Sequence, residues 1–309
     1  MSQHALRRNT QGAPASAAAI APPLLWGMIY AIAGVSVLSF DALLVRLAAA
    51  PPWSVAFWRG IGMAATMAMA LALWPETRPR RPWRLGVGVA GWGAAALLGL
   101  NSVLFVWSVL HTSAANTVVI LGTSPLFAGL FSALFLRERV RPATWGAIAA
   151  AFSGVAIIFG GSLQTGGAWG DALALAAALS VGAYLTLLRA TPGLSRIWVT
   201  CWGGLATAGL AATFAPGLAL SLRSYVVLAI MGLVQMPLAV VLIGLATRSL
   251  SAPQVSLFLL LEAILGPLWV WMGVGEAPPA NTWLGALVVL GALAMHALWR
   301  LRSSRASKA

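Results

Sequence analysis

Six acidic and nineteen basic side chains are scattered through this 309-residue sequence, and the few that interrupt long apolar runs are where chemistry is to be sought. Glu262 is the deepest, set in LFLLLEAILGPLW with apolar neighbours on both sides. A charge at the centre of a bilayer costs about 2.5–3.5 kcal/mol on insertion scales, so it needs a reason to be there. One reading makes Glu262 a protonatable coupling group or the partner of a substrate ammonium; the other makes it a protonated bridge between helices. Asp41 and Arg46 fall near the end of one apolar run and Arg59 near the start of the next. Their similar depths allow Asp41 and Arg59 to form a buried ion pair, structural or gating, with Arg46 a further gate or pairing residue. Breaking such a pair from one side should hurt more than removing both partners.

Neutral polar side chains also occur at depth. Ser36, Asn101, Asn116, Tyr184 and Gln235 could replace water around a zwitterion without trapping it. The same residue types also glue helices together. Asn101 and Gln235 rank first because they fall well inside the third and eighth runs. Trp107 and Trp202 could line a cavity and stack on a flat substrate, although most of the 15 tryptophans should anchor at the membrane interfaces. Pro125, Pro237 and Pro267 each remove a backbone hydrogen bond and predict kinks in the fourth, eighth and ninth helices. Glu138 and Glu276 lie among turn residues, where a cap or loop salt bridge accounts for them.

The elements that must position these groups follow from composition. The chain is 60% hydrophobic and 8% charged, with a mean hydropathy of +0.89; soluble domains carry roughly a quarter charged residues. The fold class is therefore all-α and integral to a membrane, because spans that long in lipid must satisfy their own backbone. Ten runs reach or approach the roughly 20 residues a crossing needs: 24–48, 53–74, 85–110, 114–136, 143–160, 169–189, 197–215, 224–246, 252–273 and 281–299. The net charge of +13 does not signal nucleic acid, since the arginines cluster between apolar runs as in cytoplasmic membrane loops. With an inside N-terminus, sixteen of the nineteen basic residues fall inside, and only Arg46, Arg59 and Arg223 fall at or near the outside. Both termini are thus expected in the cytoplasm.

Enzymatic motifs are missing. The three histidines stand at no ligand spacing, Cys201 is the sole cysteine, and there is no HExxH, GxSxG or P-loop pattern. No metal, cofactor or catalytic residue is expected.

The sequence also repeats itself. Ser113-Ala114, Glu138, Thr144 and Trp145 recur as Ser251-Ala252, Glu276, Thr282 and Trp283, all displaced by 138 positions. Five helices per unit is an odd number, so the second unit must be inverted, a recurring design of secondary transporters. The expected organisation is a tail (1–23), a five-helix repeat (24–160), an inverted five-helix repeat (161–300) and a tail (301–309).

Ten helices in two such repeats, the stretches LFLRERVRPATWG (134–146) and LLLEAILGPLWVWMGVGEAPPANTWLG (259–285), and Phe57-Trp58-Arg59-Gly60 resemble the EamA-type members of the drug/metabolite transporter superfamily. The first stretch lacks the usual Leu-Gly before its Glu. The resemblance implies a secondary-active exporter or exchanger in a bacterial inner membrane, with bacterial amino-acid exporters the nearest group. It implies alternating access around a central cavity, a small-molecule substrate, aromatic amino acids among the candidates, and transport driven by protons or another gradient. A monomer or weak homodimer fits. Other metabolites or drugs remain as alternative cargo, and a channel or intramembrane enzyme as alternative classes.

Overall fold

The computed structural model describes residues 24–73, 88–137, 142–191, 193–246, 249–250 and 252–306. Among them nine helical stretches are long and apolar enough to cross a membrane: Leu25–Leu47, Pro52–Leu73, Gly88–His111, Ala114–Phe135, Pro142–Thr165, Ala168–Ala190, Arg196–Phe214, Leu222–Ala246 and Ala280–Trp299. The remaining crossing, between the last two, is made of two shorter helices, Ala252–Leu259 and Glu262–Val274. Numbered in chain order, these are spans one to ten. Their apolar side chains are exposed around the outside of the bundle, as in Leu134, Phe135, Trp145, Leu163 and Leu287, which is what a lipid solvent allows.

Four spans are not continuous. Span one divides into α1 (Leu24–Leu38) and α2 (Asp41–Leu47). Span four divides into α3 (Ala114–Leu121) and α4 (Ser124–Phe135), with Pro125 in the first turn of the second half, where its missing N–H is not needed. Span eight contains a π-helical turn at Ile230–Gln235 followed directly by Met236–Ala246; Pro237 there cannot return an N–H to the carbonyl four residues back. Span nine divides into α5 (Ala252–Leu259) and α6 (Glu262–Val274), and Pro267 lies inside the second half. The expectation of unbroken helices over 24–48, 114–136 and 252–273 therefore gives way to half-helices in one, four and nine. The start of α3, its end and the start of α4 recur at the start of α5, its end and the start of α6, each displaced by 138 residues.

The spans pack in defined pairs: two on seven, three on six and seven, four on six, one on eight, two on eight, one on nine, and five on ten. Glycines set the closest of these. A Cβ at Gly60 would stand 2.6 Å from the Gly204 carbonyl oxygen, and one at Gly204 would stand 2.7 Å from that of Gly60. Gly154 and Gly285 face each other in the same reciprocal way, at 2.8 and 2.6 Å. Without these side chains the backbones touch, which is how helices gain van der Waals contact in lipid. The Ala/Gly-rich fifth and tenth spans thus pair within one chain.

The turns after spans one, three, five, seven and nine share one face, here called the Glu276 face. Ser54 at the start of span two donates to the Gly217 carbonyl, and Arg46 at the end of span one donates to the Thr112 carbonyl.

Candidate functional site

Both carboxylates that stand at a break open a half-helix. Asp41 is the first residue of α2 and Glu262 the first of α6. A helix N-terminus presents unpaired N–H groups and a positive dipole end, which favours negative charge there. Asp41 is also held by Arg59 in a fork: Nη1 to Oδ1 at 2.8 Å and Nη2 to Oδ2 at 2.8 Å, both residues buried. The guanidinium lies 5.1 Å over the Phe105 ring and its Nη1 meets the Met231 sulfur at 3.8 Å. Spans one, two, three and eight therefore meet at this pair. Glu262 is partly buried in span nine and interacts electrostatically with both Asp41 and Arg59.

The break in span one is satisfied from two sides. Gln235, the last residue of the π-helical turn, donates Nε2 to the carbonyls of Val37 and Leu38, 3.2 Å each. The Ser39 hydroxyl donates to the Ser36 carbonyl at 2.7 Å and accepts from Trp269 Nε1 of α6 at 2.8 Å. Trp269 also stacks on Phe40, ring centroids 4.7 Å apart. The end of α1 leaves orphan carbonyls, and these side chains take them. Gln235 keeps its Oε1 buried without a partner.

The structure brings Asp41, Arg59, Glu262, Gln235 and the Ser36 backbone together and places the other candidates elsewhere. Arg46 joins the Glu276 face: its Nη2 pairs with Glu276 Oε2 at 2.9 Å and donates to the Thr112 carbonyl at 2.8 Å. Glu276 Oε1 accepts the Ala114 N–H at 2.8 Å, capping α3 alongside Ser113. Asn116 lies beside that cap, buried among Thr112, Ser162, Asp171 and Thr282. Trp107 stacks on His111 and meets Trp53 edge-on, with its Nε1 buried and unpartnered. Trp202 touches Trp92 and Trp198 and lines a groove of about 290 Å³, while Tyr184 packs in the same cluster. Asn101 projects from span three with its Oδ1 buried and unpartnered. Glu138 lies outside the described residues. Among the described residues no three of His, Cys, Asp and Glu group as metal ligands.

Two features escaped the sequence. One is the pairing of Arg46 with Glu276, which are 230 residues apart. The other is Asp171, a fully buried carboxylate that accepts from Thr112 Oγ1 at 2.6 Å. Its signal was present: it is one of six acids and sits just inside the sixth apolar run.

Nine apolar helices of crossing length and one broken crossing among the described residues define an integral membrane protein, with Asp41 and Glu262 at the breaks of spans one and nine. The chain belongs to the EamA-like transporter family, whose model matches residues 25–160. It is 30% identical over 253 residues to a riboflavin transporter of Rhizobium johnstonii, covering 78% of this chain and 74% of that protein. It is 29% identical over 256 residues to a probable terminal-alkyne amino-acid exporter of Streptantibioticus cattleyicolor, covering 75% and 80%. A chain of known crystal structure, 21% identical, shares the fold with a TM-score of 0.59 over 89% of this chain and 98% of that one. The protein is thus a transporter of small metabolites and not an enzyme.

Proposed function

We propose that this transporter exports or exchanges amino acids, aromatic ones included, across a bacterial inner membrane by alternating access. The observation that carries the mechanism is the common 138-residue displacement of the broken spans four and nine. An inverted pair of five-helix units places two such breaks on opposite sides of one centre. The reciprocal contacts Gly60–Gly204 and Gly154–Gly285 support the same symmetry, since a two-fold relation makes each partner meet the other in kind. Four-helix bundles then rock around a central cavity, and the Arg46–Glu276 pair closes one face.

Amino-acid cargo is supported by the charge set and by one relative. A zwitterion needs an anion for its ammonium and a cation for its carboxylate, and Glu262 lies in the field of the Asp41–Arg59 pair. The relative from S. cattleyicolor is a probable amino-acid exporter. Glu262 also serves as the protonatable coupling group.

Counterflow in proteoliposomes tests the substrate. A labelled aromatic amino acid should be taken up into vesicles loaded with the same compound, with saturation, and unlabelled amino acids should compete. Riboflavin in the same assay is the rival; counterflow with riboflavin and none with amino acids sinks the reading. Glu262→Gln should abolish the pH dependence of transport while leaving expression intact, and an unaltered pH profile removes Glu262 from coupling.

A further inference from the structure

Away from the Asp41–Arg59 pair, four polar side chains from four different spans converge beside the Glu276 face. They are Thr112 at the end of span three, Asn116 of span four, Ser162 of span five and Asp171 of span six, with Thr282 of span ten behind them. Asp171 is 0% exposed. Its partners are neutral: the Thr112 hydroxyl at 2.6 Å and the Asn116 amide at 3.1 Å on Oδ1, with the same amide 3.3 Å from Oδ2. No Lys or Arg forms an ion pair with it among the described residues. A buried carboxylate without a counter-charge is expensive.

The centre of the cluster is one nitrogen. Asn116 Nδ2 faces four oxygens: Ser162 Oγ at 2.8 Å, Thr112 Oγ1 at 3.3 Å, and Asp171 Oδ1 and Oδ2 at 3.1 and 3.3 Å. An amide nitrogen carries two hydrogens, so four acceptors are more than it can serve. That excess of oxygen around a weakly positive group is the environment of a hard cation. The other end of the amide accepts from the Thr282 hydroxyl. A hydroxyl can accept as readily as donate. Turning the Asn116 amide over therefore keeps a hydrogen bond to Thr282 and adds Asn116 Oδ1 to the oxygens facing Asp171. A cavity of about 510 Å³, lined by Thr112, Asn116, Ser162 and Thr282 among others, leads to the cluster.

We propose that Asp171, Thr112, Asn116 and Ser162 form a sodium site, entered from that cavity and filled when the Asn116 amide turns its oxygen inward. One carboxylate balances one unit of charge, which selects a monovalent ion, and oxygen-only ligation selects a hard one. The ligands come from four spans, so opening the Glu276 face dismantles the site and releases the ion. Sodium bound here holds that face closed.

The test is radiolabelled sodium binding to the full chain in lipid nanodiscs, in choline buffer. It needs no transported substrate, so it succeeds or fails apart from the amino-acid reading. Saturable binding is expected, with choline and potassium failing to displace it. Asp171→Asn should weaken it about tenfold or more. Thr112→Val, which keeps shape and leaves the carboxylate in place, should also weaken it and carries the test if Asp171→Asn does not give a monodisperse protein. Absence of saturable binding to the wild type overturns the proposal. So does equal affinity in Thr112→Val and wild type, which would place the sodium elsewhere. A wild type that takes up protons at Asp171 but no sodium at any concentration overturns it as well.

Discussion

Asp41 and Arg59 illustrate how a bilayer turns two costly residues into one tolerable unit. Each alone would carry an uncompensated charge at depth, whereas the fork at 2.8 Å neutralises both and uses four of their polar atoms. Asp41→Ala or Arg59→Ala should each destabilise the protein by about 3–5 kcal/mol. The double substitution should cost less than the two added together. Thermal unfolding of the purified protein in one detergent, read as a double-mutant cycle, checks this; additive losses would mean that the pair contributes no coupling. The two depths are readable from the sequence, so this pairing is foreseeable. Arg46 is different. Its partner Glu276 belongs to a turn 230 residues away, and no local pattern announces that contact.

At the scale of elements, the breaks matter more than the prolines. Pro125 stands one residue into α4 and marks its break directly. The break at Ser39–Phe40 has no proline or glycine, and that at Leu260–Leu261 lies in a leucine run six residues before Pro267. The first persists because Gln235 takes carbonyls that the helix leaves open, while Trp269 holds the Ser39 side chain there. The glycine crossings are a second element-level device. At Gly60 an added methyl meets the Gly204 carbonyl oxygen at 2.6 Å, whereas at Gly160 it meets nothing within 4 Å. Gly60→Ala should therefore lose about 1–3 kcal/mol through overpacking. Gly160→Ala should be neutral or gain up to about 1 kcal/mol from helix propensity. Comparing the two melting temperatures in the same lipid checks the contrast, and equal losses would refute it.

The whole molecule has two faces of different character. The Glu276 face is latched by Arg46–Glu276 and by the Asn116 cluster, and Asn281 lines the cavity there. The distribution of basic residues predicts that this face looks outward. Cys201 is the sole native cysteine, so Asn281→Cys in a Cys201→Ala background offers a clean reporter. A membrane-impermeant thiol reagent added to intact cells should modify it; modification only after lysis would invert the topology.

The sequence by itself determined the membrane class, the order of the apolar helical spans, the 138-residue displacement and the place of Asp41, Arg59 and Glu262 within apolar runs. These depend on local hydrophobicity and spacing, which the chain carries residue by residue. Tertiary structure alone decided where helices break without a breaker residue, that Arg46 meets Glu276, and that Asp171 lies amid Thr112, Asn116 and Ser162. Those outcomes depend on which spans become neighbours. A side chain's hydrogen-bond partners, and whether a freed carbonyl finds a donor, are properties of the packed bundle and of no single helix.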